Sequence, residues 1–273
     1  MRPTKNSHMK NLLNSTLAFA VLALAITSCK KGDITSKRLD GTWKLSSGTL
    51  QSTATNTYNT TTSTTTINAV LDGATRKVTT TIVPTPSTGN PATSTNPYTE
   101  EYTFDRGEDA FTAKVTSTNV SSYQDTYFTS SSCDFSTSAN YAVTETETTT
   151  STTTGKFTIL GSTGDIEKNS RMTLEYIKSD DVETTKWTYK TTAGADVTTT
   201  LYTYDFNGGC RVADVTKTVN SSETYSAGSN SEIWTVKSMS SSEMVVDYSS
   251  SYSKTGSNPS SFTTSGEKNY KQD

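Results

Sequence analysis

Carboxylates are the side chains in this sequence best suited to acid-base chemistry, because histidine is nearly absent. The only histidine among the 273 residues is His8, near the start of the chain. Without histidine, the rest of the chain cannot run a Ser-His-Asp or Cys-His mechanism, and it offers no imidazole to zinc. A glycosidase needs only two carboxylates at a suitable separation. The sequence supplies clustered acids at five positions: Glu100, Glu101, Asp180, Asp181 and Glu183.

These acids have polar neighbours in the sequence, which is typical of solvated loop charges and not of a catalytic pair. Asp105 with Asp109, and Asp205 with Asn207, are oxygen donors for calcium, but no complete twelve-residue calcium loop surrounds them. Turn formation explains these residues better. Nucleophile-elbow, Walker A and dinucleotide-binding glycine motifs do not occur. We therefore predict no enzyme activity, no catalytic residues, no metal site and no cofactor.

The start of the chain has the three parts of a secretory signal. Lys10 supplies a positive charge, residues 12–26 are apolar apart from three polar residues, and Ile26-Thr27-Ser28-Cys29 closes the segment. Those four residues resemble the lipobox of bacterial lipoproteins, whose cysteine is acylated and becomes the mature N-terminus. The apolar run is shorter than the roughly 20 residues that span a bilayer as a helix. A plain cleaved signal peptide and an uncleaved anchor helix are the alternatives.

The lipobox resemblance implies a lipoprotein whose residues 1–28 are a signal peptide and whose residues 29–37 are a tether. Lipid attachment at Cys29, with palmitate among the acyl chains, makes the membrane the expected partner. Each buried methylene contributes about 0.8 kcal/mol, so a diacyl group with an amide-linked chain holds firmly. The expected location is the outer membrane, lipid-anchored, with the body either periplasmic or surface-exposed.

Charge and cysteine content limit the remaining partners. Of the 24 Lys and Arg, three precede Cys29, which leaves 21 against 27 Asp and Glu. This mild acidity argues against nucleic acid, which requires clustered basic residues. Cys133 and Cys210 remain in a compartment that permits disulfides. They either pair or stay two separate buried thiols.

Composition and alternation favour β-structure. Hydrophobic residues make up 31% of the chain and charged residues 19%, and the polar excess is threonine, serine and tyrosine, which suit half-buried strands. Period-two alternation predicts a succession of antiparallel hairpins, the first around Asp72-Gly73, a dipeptide suited to a type I′ turn. The predicted strand pairs are residues 63–71 with 74–83, 98–104 with 110–115, 157–160 with 172–177, 186–192 with 197–206, and 233–237 with 244–248, and a further strand covers 210–219.

Several segments leave the organisation open. Residues 53–66 and 144–154 are almost all small and polar, and each is either a flexible stalk or a long strand with both faces wet. Four prolines between residues 84 and 97 predict a long surface loop. Trp43, Trp187 and Trp234 are predicted to lie in the core, the alternative being a sugar-stacking platform.

Two segments resemble the lipocalin-like lipoprotein domain of Bacteroidetes. Leu39-Asp40-Gly41-Thr42-Trp43-Lys44-Leu45 resembles the Gly-x-Trp opening strand of that family, and residues 233–239 with 243–248 resemble its penultimate hairpin. Residues 102–105 and 155–159 match its middle strands more loosely. In the motif, Gly41 lets the chain bend into the barrel and Trp43 plugs the closed end. A late basic residue that often packs over that ring in lipocalins has only Lys268 and Lys271 as candidates here.

The resemblance implies one domain over residues 38–273, an all-β antiparallel meander closing into a lipocalin-like barrel, with a β-sandwich as the alternative fold. It implies a membrane-anchored lipoprotein that binds a small, largely apolar ligand in the barrel interior. The alternative functions are a cell-surface adhesion or glycan-binding module without catalysis, and a structural lipoprotein without a ligand.

Overall fold

The computed structural model describes residues 39–58, 61–83, 92–160, 170–205, 209–228, 230–254 and 260–273. The predicted signal peptide, Cys29 and the predicted tether lie outside the described residues. Thirteen β-strands run through the described ranges, and all of their pairings are antiparallel. The strands are β1 (Gly41–Tyr58), β2 (Thr61–Leu71), β3 (Thr75–Val83), β4 (Ala92–Asp105), β5 (Ala110–Phe128), β6 (Ser138–Leu160), β7 (Ser170–Thr191), β8 (Tyr202–Asp205), β9 (Gly209–Val212), β10 (Thr216–Thr224), β11 (Ser231–Met239), β12 (Glu243–Lys254) and β13 (Ser260–Gln272).

Ten of these strands form a closed ring of hydrogen-bonded pairs. Strands β1 to β7 follow one another in sequence order, β7 then pairs with β11, and β11, β12 and β13 lead back to β1. Strands β8, β9 and β10 lie off the ring. The pairing closes on itself, as in a barrel, although the strands are not spread evenly round an axis. The all-β antiparallel prediction is therefore confirmed.

A second pairing of β1 explains how the ten strands of the ring surround a narrow interior at one end. The first residues of β1, Gly41 to Lys44, pair directly with Phe104 to Glu101 of β4. The β2–β3 hairpin is bypassed at this end, where β1, β4, β5, β6, β7, β11, β12 and β13 surround the interior. Further along, β1 pairs with β2 from Gly48 onward. The hairpin thus widens the ring at one end only.

The threonine-rich segments are strands in the described residues. Most of residues 53–66 belong to the β1–β2 hairpin, and residues 144–154 lie within β6. Threonine hydroxyls pair across neighbouring strands, as between Thr116 and Thr150 and between Thr118 and Thr148, both at 3.2 Å. Such cross-strand pairs stabilise a sheet whose surface is wet. The flexible-stalk alternative was wrong for these residues.

The main hydrophobic core fills the eight-stranded end of the ring. Trp43, Trp234 and Phe104 are fully buried there. The Trp43 indole Nε1 donates to the Leu39 carbonyl oxygen at 2.8 Å, so its polar atom is satisfied inside the core. Phe104 meets Phe157 edge to face with 5.4 Å between ring centroids. This packing closes one end of the ring.

Two glycines permit close approach between strands in this ring. A Cβ on Gly155 would lie 2.1 Å from the Glu175 carbonyl oxygen and 2.6 Å from Phe111. Gly155 also marks the register shift between β6 and β7. A Cβ on Gly266 would lie 2.0 Å from the Thr49 carbonyl oxygen. Any larger residue would push neighbouring strands apart at these points.

A second, smaller core lies towards the far ends of β5, β6 and β7. It consists of buried Tyr127, Tyr141, Val143, Leu201 and Ala213, against which Trp187 packs. These three strands are 19, 23 and 22 residues long. We call the second core, together with β8 and β9, the distal lobe.

The structure corrects several predicted strand boundaries. Residues 186–192 were predicted to pair with residues 197–206. Residues 186–191 are the end of β7, and residues 197–201 form no strand. Within the predicted partner strand, residues 202–205 form β8. Residues 210–219 contain two strands separated by residues 213–215. Strand β13 was not predicted. Of the predicted proline-rich loop, residues 92–97 are the start of β4, and residues 84–91 lie outside the described ranges.

The Asp72-Gly73 turn also differs from the expected geometry. Gly73 has a φ of +87°, whereas Asp72 is not among the residues of positive φ, so a type I′ turn is wrong. The Asp72 carboxylate instead accepts hydrogen bonds from the backbone N–H groups of Ala74 and Thr75, at 3.0 and 2.6 Å. Among the described residues, no helix is both long enough and apolar enough to cross a bilayer.

Candidate functional site: a pocket of tyrosines and carboxylates

A cavity of about 310 Å³ lies inside the ring, next to the main core. Strands β4, β5, β6, β7, β11 and β13 line it, together with the segment between β10 and β11. Most of the polar side chains that line it are charged or phenolic: Tyr98, Glu100, Tyr102, Tyr176, Tyr225, Glu232 and Lys268. We call this cavity the tyrosine-carboxylate pocket.

Alternation along β4 places three of the lining side chains. Tyr98, Glu100 and Tyr102 share one face with Phe104, because side chains two residues apart point to the same side of a strand. Phe104 and Tyr102 continue into the apolar core, whereas Glu100 and Tyr98 line the cavity above it. The inward face of β4 therefore changes from apolar to polar along its length. The pocket begins where this change occurs.

Glu100 is the centre of a buried hydrogen-bond network. The residue is 3% exposed, and its oxygens lie 2.8 and 3.0 Å from the Lys268 Nζ. The Tyr270 and Tyr98 hydroxyls donate to the same carboxylate at 2.6 and 2.7 Å. Four strong contacts compensate for the burial of this charge.

The protonation of the network follows from these contacts. Burial by itself raises the pKa of Glu100, but the charge of Lys268 and the hydrogen bonds from Lys268, Tyr270 and Tyr98 outweigh burial and leave the pKa below its usual value. Burial, followed by the charge of Glu100, raises the pKa of Tyr270 well above its ordinary value. Glu100 is therefore an anion, and Tyr270 is a neutral hydrogen-bond donor.

Glu232 is the second carboxylate of the pocket. Its Oε2 accepts from the Trp234 indole at 3.2 Å, and its Oε1 lies 3.5 Å from the Tyr248 hydroxyl. Burial, followed by the charge of Glu232, raises the pKa of Tyr176. No lysine or arginine forms an ion pair with Glu232 in the part of the chain that the structure describes. Its charge is solvated by neutral donors and is not cancelled.

Two cations contact aromatic rings beside the cavity. The Lys268 Nζ lies 5.2 Å from the centroid of the Tyr248 ring, and the Arg76 guanidinium lies 5.3 Å from that of Tyr98. Both distances are within the range of cation–π attraction. Arg76 itself does not line the cavity. The tyrosine rings of this site thus already accept positive charge on their faces.

The arrangement is better suited to binding than to acid-base catalysis. A glycosidase-like site needs one carboxyl group that holds a proton at neutral pH, which requires a raised pKa. Glu100 has the opposite shift and is occupied by Lys268. The contacts of Glu100 with Lys268, Tyr270 and Tyr98 give this carboxylate a structural role, in which it orients those three side chains.

The other acids singled out from the sequence lie outside the pocket, and their prediction as loop charges was wrong. Glu101 is on β4, 4.0 Å from Lys44, and Asp180, Asp181 and Glu183 lie on β7. Glu100 was grouped with them but is buried.

The turn explanation for Asp105 is supported by its hydrogen bond from the Gly107 N–H at 2.7 Å. Asp109 has a φ of 50°, as residues of tight turns do. The side chain of Asp205 and all of Asn207 lie outside what the structure describes. Among the described residues, no group of three or more metal-ligating side chains occurs.

The Gly-x-Trp segment and two of the cysteines have defined places. Gly41 has a φ of +115° at the start of β1, where glycine is favoured, and Trp43 plugs the closed end of the ring. Lys268, a candidate to pack over Trp43, contacts Tyr248 and Glu100 instead. Cys133 and Cys210 form a disulfide with 5.6 Å between Cα atoms, so the paired alternative holds.

The buried tryptophans are as predicted, but most of the pocket was missed. Trp43 and Trp234 are fully buried, and Trp187 packs against the distal core. Lys268 and Glu232 were not predicted as partners in a site. One signal was present: Glu100 shares the inward face of β4 with two tyrosines. A single acid on an apolar strand face is a sign of a buried polar site.

Comparison of the chain with protein-family models, with curated proteins and with solved structures found no match in any of the three. The resemblance to lipocalin-like lipoproteins therefore stays a prediction.

Proposed function

We propose that this chain is a lipid-anchored lipoprotein of the outer membrane that binds a small polar ligand in the tyrosine-carboxylate pocket. The anchor rests on the lipobox-like Ile26-Thr27-Ser28-Cys29 and the apolar segment before it. The ligand-binding part rests on the cavity and its lining. The body has the form expected of a ligand cup, since one end is plugged by apolar side chains and the cavity lies beside that plug.

The single observation that favours a polar ligand is the charge of Glu232 in the cavity. An apolar molecule there would remove water from this carboxylate without giving it a partner, which costs several kcal/mol by transfer estimates. A ligand with hydrogen-bond donors replaces that water. The largely apolar ligand that the lipocalin resemblance implies fits this lining less well.

A ligand test uses the full chain purified in mild detergent from its own membrane. Native mass spectrometry of the wild type should show a non-covalent mass beside the acylated polypeptide. Val115 lines the cavity, whereas Val120 is exposed further along the same strand, so Val115→Trp should remove that mass and Val120→Trp should keep it. A wild-type sample without any bound mass would overturn ligand binding.

The alternative is a surface glycan-binding module that uses the distal lobe together with the short 3-10 turn Phe135–Thr137 between β5 and β6. Phe135 is 85% exposed beside the disulfide, and Tyr204, which pairs with Cys210, is 53% exposed. Exposed aromatic rings provide stacking faces for sugars. Retention of glycan binding by Val115→Trp and its loss in Phe135→Ala would favour this alternative over the pocket.

A further inference from the structure

The charge of the pocket lining identifies a ligand class, on the assumption that the pocket binds a ligand as proposed above. Three of the described residues that line the cavity are charged, and two of them, Glu100 and Lys268, cancel each other in a contact of 2.8 Å. Glu232 remains. The described lining therefore carries one negative charge that forms no ion pair. Arg76 is not among the lining residues, and its guanidinium lies 5.3 Å from the centroid of the Tyr98 ring.

We propose that the pocket binds a small organic cation, an ammonium group held against the Glu232 carboxylate among the rings of Tyr176 and Tyr225. The neutral donors from Trp234 and Tyr248 hold the carboxylate in place and leave its charge available. A cation supplies the positive charge that these neutral donors lack. The contact between an ammonium and a carboxylate is stronger than one between neutral groups.

Aromatic rings are the second element of such a site. Tyr98, Tyr102, Tyr176 and Tyr225 all line the cavity, and a cation is attracted to a ring face within about 6 Å of its centroid. The Lys268 ammonium over Tyr248 is an example of this contact within the same site. A methylated or alkyl ammonium gains from both the rings and the carboxylate.

The size and charge of the cavity exclude other ligand classes. A volume of about 310 Å³ is at the lower end for ligand pockets, so the ligand is a small molecule and not a long acyl chain. An anion would meet the charges of Glu100 and Glu232, and Lys268, the one cation among the described lining residues, is already held by Glu100. A neutral sugar would form hydrogen bonds but would leave Glu232 without a counter-ion.

Binding of four probes to the full chain in detergent tests the ligand class. The probes are tetramethylammonium, butylammonium, acetate and glucose, measured by calorimetry. The ammonium ions should bind, and Glu232→Gln should weaken them at least about tenfold because it removes a charged contact but keeps a hydrogen-bond acceptor. The matched control is Glu267→Gln, whose carboxylate pairs with Lys237 on the outside of the ring and should leave binding unchanged.

A second variant keeps the inference testable if Glu232→Gln is unstable. Tyr176→Leu removes an aromatic ring from the cavity, so tetramethylammonium binding should weaken, while Glu267→Gln should again leave it unchanged. Binding of glucose or acetate without the ammonium ions would overturn the cation inference and leave the proposed pocket function standing. Failure of every probe, together with absence of a co-purifying mass that Val115→Trp removes, would overturn both.

Discussion

The Lys268 ammonium lies 2.8 Å from the Glu100 carboxylate inside the ring, although 168 positions separate the two residues in sequence. The contact joins β13 to β4, which do not pair with each other but both pair with β1 at this end of the ring. Buried ion pairs of this kind contribute less to net stability than their geometry suggests, but breaking one is costly. Both residues line the pocket and lie on different strands of the ring, so the ion pair can form only when the ring is closed.

Replacement of Lys268 by methionine should lower the free energy of unfolding by about 3 to 5 kcal/mol, because it leaves the Glu100 charge buried without its cation. Guanidinium denaturation followed by tryptophan fluorescence measures the loss. Addition of Glu100→Gln to the same variant should restore part of it. A double variant that is less stable than Lys268→Met alone would contradict the ion-pair explanation. Lys44→Met, which removes an exposed contact to Asp273, is the control and should have little effect.

The same pair predicts how stability depends on pH. The pKa of Glu100 is lower in the folded chain than the ordinary value of about 4.3, so its contribution is complete above that value and is lost as the pH falls through the folded pKa. The free energy of unfolding should therefore fall as the pH drops below the ordinary carboxyl pKa of about 4.3, and it should fall less in the Glu100→Gln/Lys268→Met variant. Denaturation curves at stepped pH test this. Equal slopes for the two proteins would show that other acids cause the dependence.

Removal of the Cys133–Cys210 disulfide should destabilise the distal lobe. The bond closes a loop with a sequence separation of 77, for which chain entropy gives a contribution of roughly 4 kcal/mol. The double variant Cys133→Ser/Cys210→Ser should unfold at lower denaturant concentration, with the change visible at Trp187, which is partly buried and packs against the distal core. The pocket lies in the other part of the ring, so ammonium binding should persist in the absence of denaturant. Identical midpoints for the wild type and the variant would contradict this prediction.

Substitution of Gly155 by alanine should lower the free energy of unfolding by about 1 to 3 kcal/mol. Its Cβ would meet the backbone carbonyl of Glu175 at 2.1 Å, and a backbone atom in a paired strand cannot rotate away. Gly107→Ala is the matched control, because its Cβ would meet only the Asp105 side chain, at 3.3 Å. Thermal and chemical denaturation of the two variants compares them directly. Similar stability losses at both positions would show that β6 and β7 can separate at the bulge.

The anchor is tested by Cys29→Ser. Without the thiol, no thioether-linked lipid can form, so the protein should leave the membrane fraction and appear in soluble fractions. Fractionation with immunodetection measures the distribution, and intact mass reports the acyl chains on the wild type. A variant that stays in the membrane as firmly as the wild type would mean that Cys29 is not the attachment point.

Local patterns in the sequence carried most of the correct strand predictions. Alternation identified the hairpin of β11 and β12, because the side-chain period is a property of a few neighbouring residues. The burial of Trp43 and Trp234 followed from residue type, since large aromatic side chains contribute most to a thin β core. The same reasoning failed at residues 197–201, where Val197 and Leu201 pack onto the distal core without joining a strand ladder. Strand β13 was missed because its inward face carries Thr264 and Lys268, which do not give an apolar alternation.

By itself, the sequence determined that the body is built of antiparallel strands, that histidine-dependent chemistry is absent after residue 8, and that a lipobox-like cysteine follows an apolar leader. Only the tertiary structure decided that β13 closes the ring against β1, and that Glu100 is a buried anion instead of a solvated one. The reason is that a carboxyl group's charge state depends on which groups contact it in the folded chain. For Glu100 one such group is Lys268, and its position follows from the closure of the ring and not from any pattern near Glu100.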